Sequence, residues 1–232
     1  MDVPILYQDE RILVCRKPAG LLSTDDENGL PAVLRAQLGD AHACIRTVHR
    51  LDAAVSGVMV YARSQMAASL LSEQIREGKF QKEYLAVLHG APEAPAGELR
   101  DLLWRNRSTR RTVVVAEPRK EAKRARLLYR VLAEANGMSL VQIRLLTGRT
   151  HQIRVQLSSR GLPLVGDRKY GRGDEDGCAI ALWSYRLRFF HPQTDELLEF
   201  SLEPPACAPW ADFTPLPESP AWIDIKTEDT EP

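Results

Sequence analysis

Apolar and polar positions along this chain fall mostly into short runs at strand spacing, broken by a few stretches at helical spacing. Ile5 to Arg16 reads as two strands around the turn-like Gln8-Asp9-Glu10, with Ile12-Leu13-Val14-Cys15 as a buried run. Lys17-Pro18-Ala19-Gly20 ends it. Leu34 and Leu38, with Pro31 in the first turn and Gly39 after the end, predict a short helix over Pro31 to Leu38. A strand over Gly57 to Ala62 follows, then a helix capped by Ser64, running through Leu71 and Ile75 and stopping near Gly78. Gln81 to Leu88 resumes as a strand. Leu127 to Leu132 and Ser139 to Leu146 are expected to form a hairpin through Ala135-Asn136-Gly137. Thr150 is placed to cap a helix from His151 to about Ser159, and Trp183 to Phe190 with Glu196 to Leu202 form a late hairpin around His191 to Asp195.

No Gly/Ser-rich linker divides the 232 residues, so one α/β domain of enzyme size is expected up to Pro205. From 206 to 232 the chain turns acidic and proline-rich and reads as a partly ordered tail. No apolar run reaches membrane-spanning length and the first residues lack the order of a secretory signal, which favours a cytoplasmic protein. Cys15, Cys44, Cys178 and Cys207 are scattered without metal-ligand spacing, so reduced thiols are expected and neither zinc nor a disulfide framework.

A net charge of +0 argues against a nucleic-acid partner only until its distribution is considered. Arg105, Arg107, Arg110, Arg111, Arg119, Lys120, Lys123, Arg124, Arg126 and Arg130 face only Glu117 and Glu121 within one stretch. The tail opposes them with Glu218, Asp224, Glu228, Asp229 and Glu231. Such a stripe is the composition of a phosphate-backbone footprint, and equally of a solvated charged face.

Candidate chemistry gathers in three places. His49-Arg50-Leu51-Asp52 sets a carboxylate at a turn that feeds into the apolar strand after Ser56-Gly57, with a cation two residues before it. Tyr84 lies in Lys82-Glu83-Tyr84, where a half-buried strand tyrosine is the ordinary reading. Thr147 to Val155 contains Gly148-Arg149-Thr150-His151-Gln152-Ile153-Arg154, and Arg149 stands there between a strand end and a helix start. No second His or Cys follows His151 at i+4, so it is read as a scaffold residue and not a metal ligand.

With Lys17-Pro18-Ala19-Gly20 before them and Gly166-Asp167 through Tyr170-Gly171 after them, these motifs occur in the order found in the RluA-type pseudouridine synthases, which the chain resembles from about Ile5 to Pro205. The resemblance implies the pseudouridine-synthase fold, a mixed, mainly antiparallel curved sheet with flanking helices. It implies an isomerase that breaks the glycosidic bond of a uridine in structured ribosomal or transfer RNA and rejoins ring carbon 5 to the anomeric carbon, without cofactor or metal. A monomer is expected. By motif, Asp52 would be the essential carboxylate, attacking the anomeric carbon or removing a sugar proton. Tyr84 would stack on the base and take the carbon 5 proton, and Arg149 would pair with the carboxylate and orient its oxygens.

Arg50 would fill the helix vacated by the extruded nucleotide, lowering the few kcal/mol that flipping costs. The first matched strand begins almost at Met1, so target recognition is expected from the catalytic domain itself, with Arg105, Arg107, Arg110, Arg111, Lys123 and Arg124 as RNA contacts. The chain departs from the common pattern at Val55, where a threonine is usual, and at Trp183, where a histidine is. Two other functions compete: a glycosidic-bond hydrolase, which needs a second carboxylate that Asp167 could supply, and a non-catalytic RNA-binding or chaperone protein.

Overall fold

A computed structural model describes residues 2–172, 179–219 and Trp222. Cys178 and the acidic residues from Asp224 onward lie outside these residues. The strands are β1 (Ile5–Gln8), β2 (Ile12–Lys17), β3 (Arg46–Thr47), β4 (Ser56–Ala62), β5 (Gln81–His89), β6 (Ala96–Asn106), β7 (Arg111–Val115), β8 (Lys123–Ala135), β9 (Met138–Leu145), β10 (Leu182–Phe190) and β11 (Leu197–Ser201). The helices are α1 (Leu30–Leu38), α2 (Gln65–Arg76) and α3 (Gln152–Ser158).

All these strands join one sheet in the order β1-β2-β4-β10-β5-β9-β8-β6-β7, with β3 added on β4 and β11 on β10. Every pairing is antiparallel except β10 with β4. The alternation of the strands gives the sheet two apolar faces. Leu13, Cys15, Met59, Tyr61, Tyr84 and Ala86 pack with α1 and α3 on the first face. Ile12, Val14, Val58 and Val60 pack with α2 on the second. Further along that second face, Leu85, Val87 and Trp183 meet Trp210 and Phe213 of a short 3₁₀ turn, so the first part of the expected tail packs on the sheet.

The one parallel contact depends on Gly57. Its φ is +123°, and a Cβ there would sit 2.3 Å from the Ser184 carbonyl oxygen, so no other residue lets β4 and β10 meet at this point. The start of β4, and with it the loop that carries Asp52, is thereby fixed against the centre of the sheet.

Most predicted elements are present to within a residue or two. Asn136 and Gly137, at φ +53° and +71°, make the tight turn between β8 and β9. Ser64 caps α2 by accepting from the Ala67 N–H. Thr150 does not cap α3. His151, at φ +56°, occupies that position with no side-chain cap, and the Thr150 hydroxyl instead accepts from Arg105. The β6–β7 hairpin has no counterpart among the predicted elements; it occupies much of the basic stretch.

Candidate active site

A cleft of about 1000 Å³ opens on the first face of the sheet, and His49 to Asp52, Lys82, Tyr84, Arg105, Arg149, His151 and Arg154 are among its lining residues. The loop that carries Asp52 is fastened from beneath. Lys17, wholly buried at the end of β2, donates from Nζ to the carbonyls of Pro18, Ala53 and Val55 at 2.9, 3.0 and 2.9 Å. Burial lowers its ammonium to about 8, against the pull of Asp52, so three carbonyl dipoles hold a charge that its surroundings penalise. Ser23 Oγ donates to the Leu51 carbonyl and accepts from the Leu51 N–H, and His49 Nε2 accepts from the Val60 N–H. Burial depresses the His49 ring to about 3, which keeps it neutral in that acceptor role. With His49 and Leu51 buried, alternation turns Arg50 outward, exposed on the cleft wall.

Asp52 retains 27% side-chain exposure and points into the cleft. Its partner differs from the expected one: Arg154 Nη1 donates to Asp52 Oδ2 at 2.9 Å, whereas Arg149 uses Nε on the Arg124 carbonyl at 2.9 Å. The reason lies in the backbone. His151 in the left-handed region reverses the chain between the two arginines, leaving Arg149 beside β8 and turning Arg154, on the first turn of α3, inward. Arg154 also grips Asp167 with two further nitrogens, at 2.8 and 2.6 Å. Burial alone would raise the Asp167 carboxyl, but Arg154 and the N–H groups of Tyr170 and Lys169 outweigh it and hold the group below its ordinary value. Asp167, fully enclosed and fully occupied, is an anchor for Arg154 and not a second carboxylate for hydrolysis.

Tyr84 is 5% exposed, with its ring in the apolar cluster beneath the cleft. Burial first, and then the Asp52 charge, hold its hydroxyl well above the ordinary phenol value. A phenolate able to act as base is therefore disfavoured, and the ring offers a protonated, apolar platform. Trp183 lies on the opposite face, where Nε1 donates to the Leu202 carbonyl, so its replacement of a histidine leaves the carboxylate's surroundings untouched. Val55 is buried and serves the site through its main chain, its N–H donating to the Asp52 carbonyl and its carbonyl accepting from Lys17.

The basic stretch divides. Arg105 reaches the cleft, Arg107 and Arg110 are exposed at the turn of the β6–β7 hairpin, and Arg111 stands over the Tyr170 ring. Arg107 pairs with Glu121 on the surface. Ala125 packs towards α3, so alternation turns Arg124 and Arg126 to the other side of β8, where Arg126 pairs with Glu98. Arg130 is buried, bound to Gln142 and stacked against Trp222. The expected footprint thus shrinks to the hairpin and Lys123. Among the described residues no cluster of His, Cys, Asp and Glu could hold a metal ion, and no helix is long and apolar enough to cross a membrane.

Comparison with known proteins identifies the family of the chain. The RNA pseudouridylate synthase family model matches residues 11–159. An uncharacterized RNA pseudouridine synthase of Bacillus subtilis, YhcT, is 34% identical over 207 residues, covering 85% of this chain and 67% of that protein. The dual-specificity RNA pseudouridine synthase RluA of Vibrio vulnificus is 34% identical over 200 residues, covering 82% of this chain and 78% of its own length. Among solved structures, human RNA pseudouridylate synthase domain containing 1 superposes with a TM-score of 0.75 at 27% identity, covering 89% of this chain and 85% of that one. With the family model matched across most of the chain and the fold shared, this protein belongs to the RluA-type RNA pseudouridine synthases.

Proposed function

We propose that Asp52 is the carboxylate through which this RNA pseudouridine synthase acts, on a uridine extruded from structured ribosomal or transfer RNA. One observation carries the reading: Asp52 is the partly exposed carboxylate at the floor of the cleft, and the other end of its arginine partner is tied off by the buried Asp167. One partly exposed carboxylate among the described lining residues of the cleft suits an isomerisation in which the uracil stays in the site and is rejoined. Asp52 starts the reaction by attacking the anomeric carbon or by removing a sugar proton. The base then turns over Tyr84, whose protonated ring supports stacking, and the proton on carbon 5 leaves through another group or water.

Arg50, exposed beside Asp52, is placed to refill the RNA stack once the uridine is out. Arg105, Arg107, Arg110, Arg111 and Lys123 supply the phosphate contacts, and Arg124, turned away, is left out of that set. A monomer working in the cytoplasm, with 1–205 as catalytic domain and Trp210 and Phe213 packed against it, completes the proposal.

Asp52→Asn tests it. Pseudouridine formation in a uridine-containing ribosomal or transfer RNA should be lost while RNA binding persists. Retained activity overturns the assignment, and release of free uracil by the unaltered enzyme would point to hydrolysis.

A further inference from the structure

The two oxygens of Asp52 are not equivalent. Arg154 donates to Oδ2, and His151 Nε2 lies 3.9 Å from that same oxygen, while no donor among the described residues is within hydrogen-bond distance of Oδ1. Behind His151 a chain of groups fixes its protons. The Thr112 N–H donates to the Tyr170 hydroxyl at 2.9 Å, and that hydroxyl lies 2.7 Å from His151 Nδ1. Tyr170 has one hydrogen to give. If it goes to Nδ1, every hydrogen along this chain is used and the ring hydrogen sits on Nε2, facing Asp52; the opposite tautomer leaves the phenol hydrogen with no acceptor among the described residues.

Resting on the assignment of Asp52 as the reactive carboxylate, the geometry points to His151 as a positioning residue: with Tyr170 and Thr112 behind it, its Nε2–H closes onto Oδ2 when RNA binds, leaving Oδ1 as the oxygen that meets the ribose. The gap of 3.9 Å is longer than a hydrogen bond, as catalytic contacts often are before substrate is bound. The device also couples distant parts. Thr112 belongs to β7, Arg111 of the same strand stands over the Tyr170 ring, and Lys169 donates to the Arg110 carbonyl, so the hydrogen-bonded chain runs from the basic hairpin as far as His151, and the 3.9 Å gap to Asp52 is its last step.

The role requires a neutral ring. Asp52 from the loop before β4, Arg154 from α3, Lys169 and Tyr170 from the segment after α3 and Arg105 from β6 all face it. Burial, followed in turn by the opposing Asp52 and the three cations, leaves the imidazole below its ordinary value, neutral at pH 7. Acid protonates Nδ1, which can then no longer accept from Tyr170, and places a full positive charge against Asp52. Turnover should therefore fall on the acid side, below the ordinary imidazole value of about 6.5, through an ionisation that belongs to His151.

The test compares His151→Gln, His151→Ala and Tyr170→Phe with unaltered enzyme and Asp52→Asn, in single-turnover pseudouridine formation over pH 5 to 8, with RNA affinity and melting temperature measured alongside. His151→Gln keeps a neutral N–H donor. It should lose about 10- to 100-fold in rate with unchanged RNA affinity, lack the acid limb, and exceed His151→Ala. Tyr170→Phe should lower the rate at neutral pH without unfolding the protein, which keeps the test open if the His151 variants are unstable. An acid limb unchanged in His151→Gln, or an undiminished rate in Tyr170→Phe, overturns the inference. If Asp52→Asn is itself active, the assignment beneath it fails instead.

Discussion

Two charged regions meet at the cleft, one beneath Asp52 and one on the hairpin that brings Arg105 to it, and they treat charge in opposite ways. Around Asp52 the charges are enclosed and saturated: Lys17 on three carbonyls, Arg154 on two carboxylates, Asp167 on Arg154 and two backbone N–H groups. On the β6–β7 hairpin they are exposed, and Arg107 and Arg110 stand near the turn with surface ties at most. Chemistry needs a carboxylate held to within a fraction of an ångström, which only a water-poor, over-determined surrounding provides. A phosphate backbone is recognised through long-range attraction and counterion release, for which solvated, adaptable cations suffice. The contrast predicts that substitutions at the floor act on folding and rate, and those on the hairpin on binding alone.

The largest effect is expected at Arg154. Arg154→Ala leaves the Asp167 carboxylate buried without its partner and frees Asp52, and should cost about 3 to 5 kcal/mol in urea unfolding together with nearly all activity. The pH sense is fixed by Asp167. Its folded carboxyl lies below the ordinary value, so its stabilisation is present above the unfolded value and lost as pH falls through the folded one. Without Arg154, burial raises that carboxyl, and acid unfolding should begin at a higher pH. An Arg154→Ala protein as stable as the unaltered one would remove the distinction between floor and hairpin.

Lys17→Met should be the next most severe, stranding the Pro18 and Val55 carbonyls beneath the loop and leaving Ala53 only its bond from the Gly20 N–H, with a loss of about 2 to 3 kcal/mol and slower turnover at unchanged RNA affinity. Lys17 also carries a signature in alkali. Its folded value is about 8 against an ordinary 10.5, so over that interval the unfolded chain binds more protons and this group makes stability rise with pH. Denaturant midpoints measured across the interval should show a rise that is missing in Lys17→Met. Deprotonation leaves the amine two hydrogens for three carbonyls, so activity should decline where stability gains.

On the hairpin, neutralising Arg107, Arg110 and Arg111 together should weaken RNA binding at least about tenfold and shallow the salt dependence, by up to roughly 0.9 in log-log slope per lost contact. The single-turnover rate at saturating protein should hold within about twofold. A reduced rate at saturation would tie these arginines to the carboxylate, along the chain through Thr112 and Tyr170.

The hairpin was also the least legible part of the sequence. β4, α2 and the β8–β9 turn announce themselves through a β-branched run, a serine cap and Asn-Gly, signals that act over a few neighbouring residues. In β6 the apolar positions Leu99 and Leu103 are separated by Arg100 and Asp101, and charge conceals the strand. In β7 the β-branched run Thr112 to Val115 is a local signal, set between arginines that drew the reading to charge. The site was readable as a set of motifs, because Asp52, Tyr84 and the segment from Gly148 to Arg154 do converge on the cleft. Which side chain meets which was not readable, since that depends on backbone geometry that no local signal gives.

Arg149 and Arg154 make the point most sharply, and their comparison is the smallest effect expected. Five positions separate them in one motif, yet Arg149 is exposed, with its Nε on a main-chain carbonyl that can turn to water if it is lost. Arg149→Ala should therefore change stability by less than about 1 kcal/mol and the single-turnover rate by no more than about threefold, with any larger loss confined to RNA affinity, since the residue lines the cleft mouth. The measurement is the same single-turnover assay and urea titration used for Arg154→Ala. Equal losses in the two variants would mean that Arg149 swings onto Asp52 when RNA is bound, and the pairing with Arg154 would then describe only the resting enzyme.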